Sequence, residues 1–391
     1  TAALMLNTTG TSNTAVGGLS LDANTTGHNH TAIGYESLSS NTTANNNTGL
    51  GRSALRYTTT GGDNTAVGGG VLQYNTTAAD NTAIGYLAMD VNTTGSRNVA
   101  VGTHALDANT VGGDHVAVGH SALGSNTTGI RSTAVGFSAL ASVTGNSNRH
   151  VAMGYGALSS LAGGNENTAI GNAAGSGMTS ANNNTLVGSY SGDSITTGSD
   201  NTAMGRKALN ATTNEGANTA IGFEALVSAT GGTNDAFGRK AGHDITTGSN
   251  NLCVGNLAGT SGSQITLTTH TDTIVIGNSS HTASYVKTDW TTGSDQRDKT
   301  DIQDISTGLS FVNQLKPKSF WFRKNRNSTE KSGNKKYGFL AQDILALEGS
   351  NPVIIDNQNE DSLGYQGSHL IPILVNAIKE LSAKVTALEA G

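Results

Sequence analysis

Through the first three quarters of the chain, apolar residues recur every 17 positions, not at the 3.6-residue helical period or the two-residue strand period. Each unit carries the tract Asn-Thr-Ala-Val/Ile-Gly or a variant, with its Gly at 17, 34, 51, 68, 85, 102, 119, 136, 154, 171, 188, 205, 222, 238, 255 and 277. The spacing slips by one residue near 154 and 238 and widens before the last Gly. The residue before the Gly is apolar in every unit, from Val16 and Ile33 to Val254 and Ile276. Such a column predicts the inner face of a short strand. Units this short cannot bury a face alone, so they must stack on their neighbours.

Other columns refine the unit. The position three after the Gly is Ala or Ser, except for Val71, and the next is a large apolar residue such as Leu38, Leu55, Leu106, Leu140 or Leu226. Four units place Gly there instead (Gly175, Gly192, Gly242, Gly259), and three of these carry Met178, Ile195 or Ile245 three residues later. A packed core requires such a compensating shift, because losing a Leu-sized side chain costs about 2–5 kcal/mol. Thr-Thr-Gly elements, as at 25–27 and 93–95, then supply a turn.

One parallel coil per unit rises about 4.8 Å, so sixteen coils predict a rod on the order of 75 Å long. A coil this small and this rich in Ala and Gly buries little apolar area, which predicts that three chains share an axis. The expected fold is mainly β. A trimeric parallel β-roll or β-helix rod of 17-residue coils spans 1–277, a neck spans 278–293, and a smaller α+β domain ending in a coiled-coil helix spans 294–391.

Asn opens the strand in most units, with His30, His115 and His150 substituting. An Asn ladder bonding coil to coil accounts for this column. An alternative sets the His side chains near a threefold axis, where three imidazoles hold a metal or anion. The many Asn-x-Thr triplets match a glycosylation pattern but are generated by the repeat itself.

Composition divides the chain at the same place. Before Ser294, Lys plus Arg number 10 and Asp plus Glu 16, a net charge of −6; from Ser294 onward both number 12, a net of 0. All three prolines follow that boundary, and 45 of the 52 glycines precede it. The repeats contain no basic block and no long apolar run, which argues against nucleic acid as a partner and against membrane insertion. The lone Cys253 stands where other units carry Ala, so it reads as a small buried thiol with no disulfide partner. Leu4 followed by 7–10 (NTTG) reads as the back half of a unit, which predicts further sequence before Thr1.

The repeat columns over about 13–280 resemble the head repeats of trimeric bacterial adhesins and the NTAVG-type repeats of phage tail fibres. After the neck the chain reads SDQRDK from Ser294, then Leu-Lys-Pro-x-x-Phe-x-Phe at 315–322, then Gly338 to Gln342, then a helix led by Tyr365. These motifs, in this order, resemble the C-terminal intramolecular chaperone of phage endosialidases, tail spikes and neck appendages. The resemblance implies self-cleavage between Gly293 and Ser294, with Ser294 as nucleophile, Lys299 as its base, and Asp295 and Arg297 in support. A Ser hydroxyl needs a base, and Lys serves only where burial or a nearby cation leaves it neutral.

The last helix has its own signature. Ile371, Leu374, Ile378, Leu381, Val385 and Leu388 follow steps of three and four, which predicts a trimer seam or, alternatively, a helix packed on its own domain. A basic stretch (Arg323, Lys324, Arg326, Lys331, Lys335, Lys336) reads as a solvated loop.

The leading functional expectation is a homotrimeric phage tail-fibre or tail-spike shaft in the virion, attaching to a host cell-surface receptor such as a glycan or outer-membrane component. A bacterial surface adhesin is the alternative. An ice- or glycan-binding β-helix is a third reading, because regular Thr columns can order water. A glycosidase needs paired carboxylates, whereas acidic residues in the repeats read as scattered singly. No cofactor or metal is expected.

Overall fold

Seventeen residues close one turn of a solenoid here, and each turn contributes one three-residue strand. The computed structural model describes residues 2–145, 149–263, 265–281, 285, 293–323, 328–357 and 363–391, and it divides into two units, Thr1–Asn278 and Ser279–Gly391. Most of the expected neck, 278–293, lies outside the described residues. Unit one carries sixteen strands, β1 (Thr14–Val16) through β16 (Ile274–Ile276), hydrogen-bonded in sequence order. Every pairing is parallel and in register, as in Thr14↔Thr31, Ala15↔Ala32 and Val16↔Ile33. The extra residue before Gly154 leaves that register intact, with Ala134 still on Ala152.

Burial corrects one expectation. The core side of each strand is the Ala column (Ala32, Ala66, Ala100, Ala134), whereas the Val/Ile column before the Gly points outward. A strand of three residues has two side chains on one face and one on the other. The coil is too narrow to hold the larger pair inside. Its interior is filled instead by Leu21, Leu38, Leu55, Leu72, Met89 and their equivalents, which meet the Ala column and are fully buried.

Each Leu of the column four residues after the Gly sits in the left-handed region, with φ of 52° at Leu21 and 53° at Leu38 and Leu106. That conformation costs a residue with a Cβ about 1–2 kcal/mol, which burial of the isobutyl group offsets. The four units with Gly at this position keep the same backbone, with φ of 60° at Gly175, and so avoid the cost. Met178, Ile195 and Ile245 then fill the vacated space and are fully buried, as the compensating shift predicts. A Cβ on Gly175 would lie 2.7 Å from Leu186 and 2.9 Å from Met178.

Polar columns hold the coils together from inside. The expected ladder is present. Asn47 Oδ1 accepts the Asn64 backbone N–H at 2.9 Å, Asn64 Oδ1 accepts that of Asn81 at 3.1 Å, and these residues are buried. A second ladder precedes the Thr-Thr-Gly turns: Asn24 Nδ2 donates to Asn7 Oδ1 at 2.7 Å and Asn41 Nδ2 to Asn24 Oδ1 at 2.8 Å. Adjoining it, Thr25 and Thr42 donate their hydroxyls to the carbonyls of Thr42 and Thr59. The asparagines of these triplets are structural, since Asn24, Asn41, Asn75 and Asn92 are fully buried.

The histidines belong to the first ladder. His30 Nδ1 accepts the Asn47 backbone N–H at 3.2 Å, which leaves the ring proton on Nε2, donated to Ala44 O at 2.7 Å. His115 repeats this with Ser132 N–H at 3.2 Å and Gly129 O at 2.6 Å. Both rings lie inside a single coil, so they are not presented to an axis shared between chains. Burial is the main cause that lowers the pKa of all three histidines, that of His150 to about 4.

Unit two pairs β17 (Lys318–Arg323) with β18 (Lys331–Gly338) and β19 (Ile355–Asp356) with β20 (Gly364–Tyr365), both antiparallel. The helices are α1 (Leu309–Val312), α2 (Ala341–Glu348) and α3 (Leu370–Glu389). Ile344, Ile354, Ile355, Leu370 and Ile373 form its core. The described part of the basic stretch is a hairpin and not a loop: Lys331 and Lys335 lie over the Trp321 ring at 4.1 and 5.5 Å. Lys324 and Arg326 lie outside the described residues.

Two stability predictions follow the core and the ladder. Gly175→Leu overfills its coil and destabilises the chain by about 1–3 kcal/mol, and adding Met178→Asn recovers part of that loss in thermal melts. The histidines bind protons more readily when unfolded, so stability is complete above the ordinary imidazole pKa of about 6.5 and falls as pH drops toward 4. Melting temperature between pH 7 and pH 4 should fall less in His150→Asn than in the parent chain; equal slopes would refute the assignment.

Candidate functional site

The SDQRDK segment forms one compact turn. Asp295 caps a 3-10 helix over Gln296–Asp298, its carboxylate accepting the Arg297 backbone N–H at 2.9 Å. The Arg297 guanidinium grips the same carboxylate through Nε at 3.1 Å and Nη2 at 2.6 Å. That side-chain bond, ahead of the backbone one, holds the Asp295 carboxyl below the usual carboxylate range. Lys299 follows as the C-cap, its N–H bonded to Gln296 O. Because the helix is a single turn, the chain folds back and the Lys299 side chain reaches the residue five positions earlier.

Lys299 Nζ lies 2.7 Å from Ser294 Oγ and 3.1 Å from Ser294 O. The first distance lies within hydrogen-bond reach, as a nucleophile and its base require. The four residues singled out in the sequence thus form two contacting pairs within one turn, Ser294 with Lys299 and Asp295 with Arg297. Gly293 is exposed, and a Cβ added there would meet no atom within 4 Å. Residues 293–300 are all exposed.

The α3 seam is presented, not buried. Leu370, Ile373 and Ala377 pack inward, while Ile371, Leu374, Ile378, Leu381, Val385 and Leu388 face outward, Ile378 at 66% and Leu388 at 82% exposure. The reading of a helix packed on its own domain holds for the face of Leu370, Ile373 and Ala377. One face serves its own domain, and the seam is left open.

Sequence reasoning missed one juxtaposition in the repeats. Asp90 and Asp107, which read as isolated, stand on adjacent coils beside a recess of about 490 Å³, with His104 Nδ1 2.9 Å from Asp107 Oδ2. Burial, then the Asp107 charge, raises the Asp90 pKa. Their spacing of 17 residues was the available signal.

No curated protein and no solved structure matches the chain. Residues 294–349 match the family model described as the chaperone of endosialidase, so a parallel β-solenoid is followed in this chain by a domain of that chaperone type.

Proposed function

We propose that the protein is a structural, adhesive fibre shaft of a phage tail, assembled as a homotrimer by a C-terminal chaperone that cleaves itself off between Gly293 and Ser294. The carrying observation is the 2.7 Å contact of Lys299 Nζ with Ser294 Oγ, at the first residue of the segment that matches the chaperone of endosialidase. The sixteen-coil solenoid supports the shaft, and the outward seam of α3 supports gathering of copies. Host attachment through a cell-surface glycan or outer-membrane component, and location in the virion, follow from this reading.

The chemistry follows from the order of residues. Ser294 is both nucleophile and the residue whose nitrogen leaves, so attack moves the Gly293 acyl group from Ser294 N to Ser294 Oγ. The Oγ–C bond forms and the C–N bond breaks. Lys299 takes the hydroxyl proton and returns it to the departing amine. Water then hydrolyses the ester, leaving a Gly293 carboxylate and a free Ser294 amine. Asp295 and Arg297 hold the turn that keeps Lys299 on Ser294. Packing of copies over this exposed turn supplies the desolvation a neutral Lys299 needs, which links cleavage to completed assembly.

Ser294→Ala and Lys299→Ala should remain full length by mass spectrometry, while the parent chain yields a C-terminal piece beginning at Ser294. Hydroxylamine should convert the ester to a Gly293 hydroxamate and speed release. A parent chain that stays intact after self-association would overturn the cleavage reading.

A further inference from the structure

The outer face of the sheet is four residue positions wide. Counted from the Gly of each coil, side chains five, three and one before it and one after it point outward, while those four and two before it are buried. The two middle columns are Thr or apolar residues followed by Val, Ile or an equivalent, and Asp235 is the one charge in either. Ile170 is 38% and Phe237 39% exposed, and the stripe runs from Val16 to Ile276. Monomeric proteins rarely leave so long an apolar surface uncovered.

The two edge columns differ in kind. The column after the Gly carries aromatic rings and arginines, among them Tyr86, Phe137, Tyr155 and Arg206, and no acidic residue. The column five before the Gly carries Asp114, Arg131, Arg149 and Asp200. Edge residues of one coil are six positions apart along nearly extended chain, on the order of 20 Å, so they cannot meet within one copy. Contacts inside the chain run along each edge: Arg206 lies 5.8 Å from the Phe223 ring centroid and Arg149 pairs with Glu166 at 2.5 Å.

We propose that this face is the contact between copies of the chain. Identical copies stand parallel around an axis along the solenoid, with the middle columns next to the axis and the aromatic edge of one copy against the acidic and Arg edge of the next. This rests on the self-association reading above and names its surface. A partner that matches every coil must share the solenoid's axial repeat, and another copy does. Closed symmetry fixes the register, because any axial offset accumulates from copy to copy and leaves the ring open. With coil against the same coil, Asp200 meets Arg206, Asp114 meets His120, and Arg131 and Arg149 face the rings of Phe137 and Tyr155, where cations are favoured. No coil carries like charges on both edges.

A cysteine pair tests this in the full chain with Cys253→Ala. Under mild oxidation D200C/R206C should shift most of the protein to a closed covalent ring on non-reducing gels, three times the single-chain mass. D200C or R206C alone, and D200C with R239C two coils away, should not. I170K, whose altered side chain lies in the stripe, should lose association while keeping its β circular dichroism. An associated chain by light scattering whose D200C/R206C form remains at single-chain mass would overturn the assigned surface and leave self-association standing. A monomeric parent chain would overturn self-association itself.

Discussion

Register between stacked coils is the constraint on which everything else in the shaft depends. In-register parallel pairing at one coil per 17 residues makes each sequence position a column, so a residue's neighbour above and below is the residue 17 away. A column therefore works only if its residue type interacts well with itself. Asn does so because its amide is both donor and acceptor, Thr because its hydroxyl reaches the next carbonyl, and Gly because nothing else fits. A Cβ on Gly119, for example, would lie 2.4 Å from Gly136 O. Isolated charges do so poorly, which is why the interior polar columns are amides and neutral imidazoles.

Narrowness is the second consequence. Three-residue strands give a narrow interior, filled in most coils by one Leu-sized group, small residues such as Ala100 and Ala105, and the ladders. The chain therefore places Leu in a left-handed conformation and exports the Val/Ile column to the surface. In three of the four units where Gly relieves that backbone, the apolar group reappears three residues on, in a position that elsewhere holds the second Asn ladder. Core volume and ladder thus trade places in those three coils, a local exchange that a solenoid tolerates because each coil contacts its immediate neighbours.

Much of this was legible in the sequence because period is a direct image of stacking. The coil length, the parallel sheet, the first Asn ladder and the Met178 shift could all be read from spacing, whereas the Ser294–Lys299 pairing came from the resemblance of the C-terminal motifs. What could not be read was which side of a three-residue strand faces in. Both Ala and Val are apolar, and choosing between them requires the width of the interior, which depends on left-handed Leu residues that no local pattern announces. The asparagines of the second ladder read as structural products of the repeat, but nothing in their spacing showed that their amides bond to one another. The basic hairpin was hidden because its lysines interrupt an alternating pattern, although they stack on Trp321.

The outward stripe and the open α3 seam then bear on one another through the proposed cleavage. If the seam gathers copies and is later released at Gly293, whatever holds the shaft afterward must reside in the shaft. An interface confined to one end would leave most coils unsupported once the seam was gone. A stripe that extends from the first strand to the sixteenth does not have that weakness, since each coil contributes its own outward apolar group. On this view the exposed Val/Ile column is a requirement set by discarding the chaperone: nucleation by a short helical seam and persistence by a long apolar face are separate tasks, and the chain assigns them to separate units.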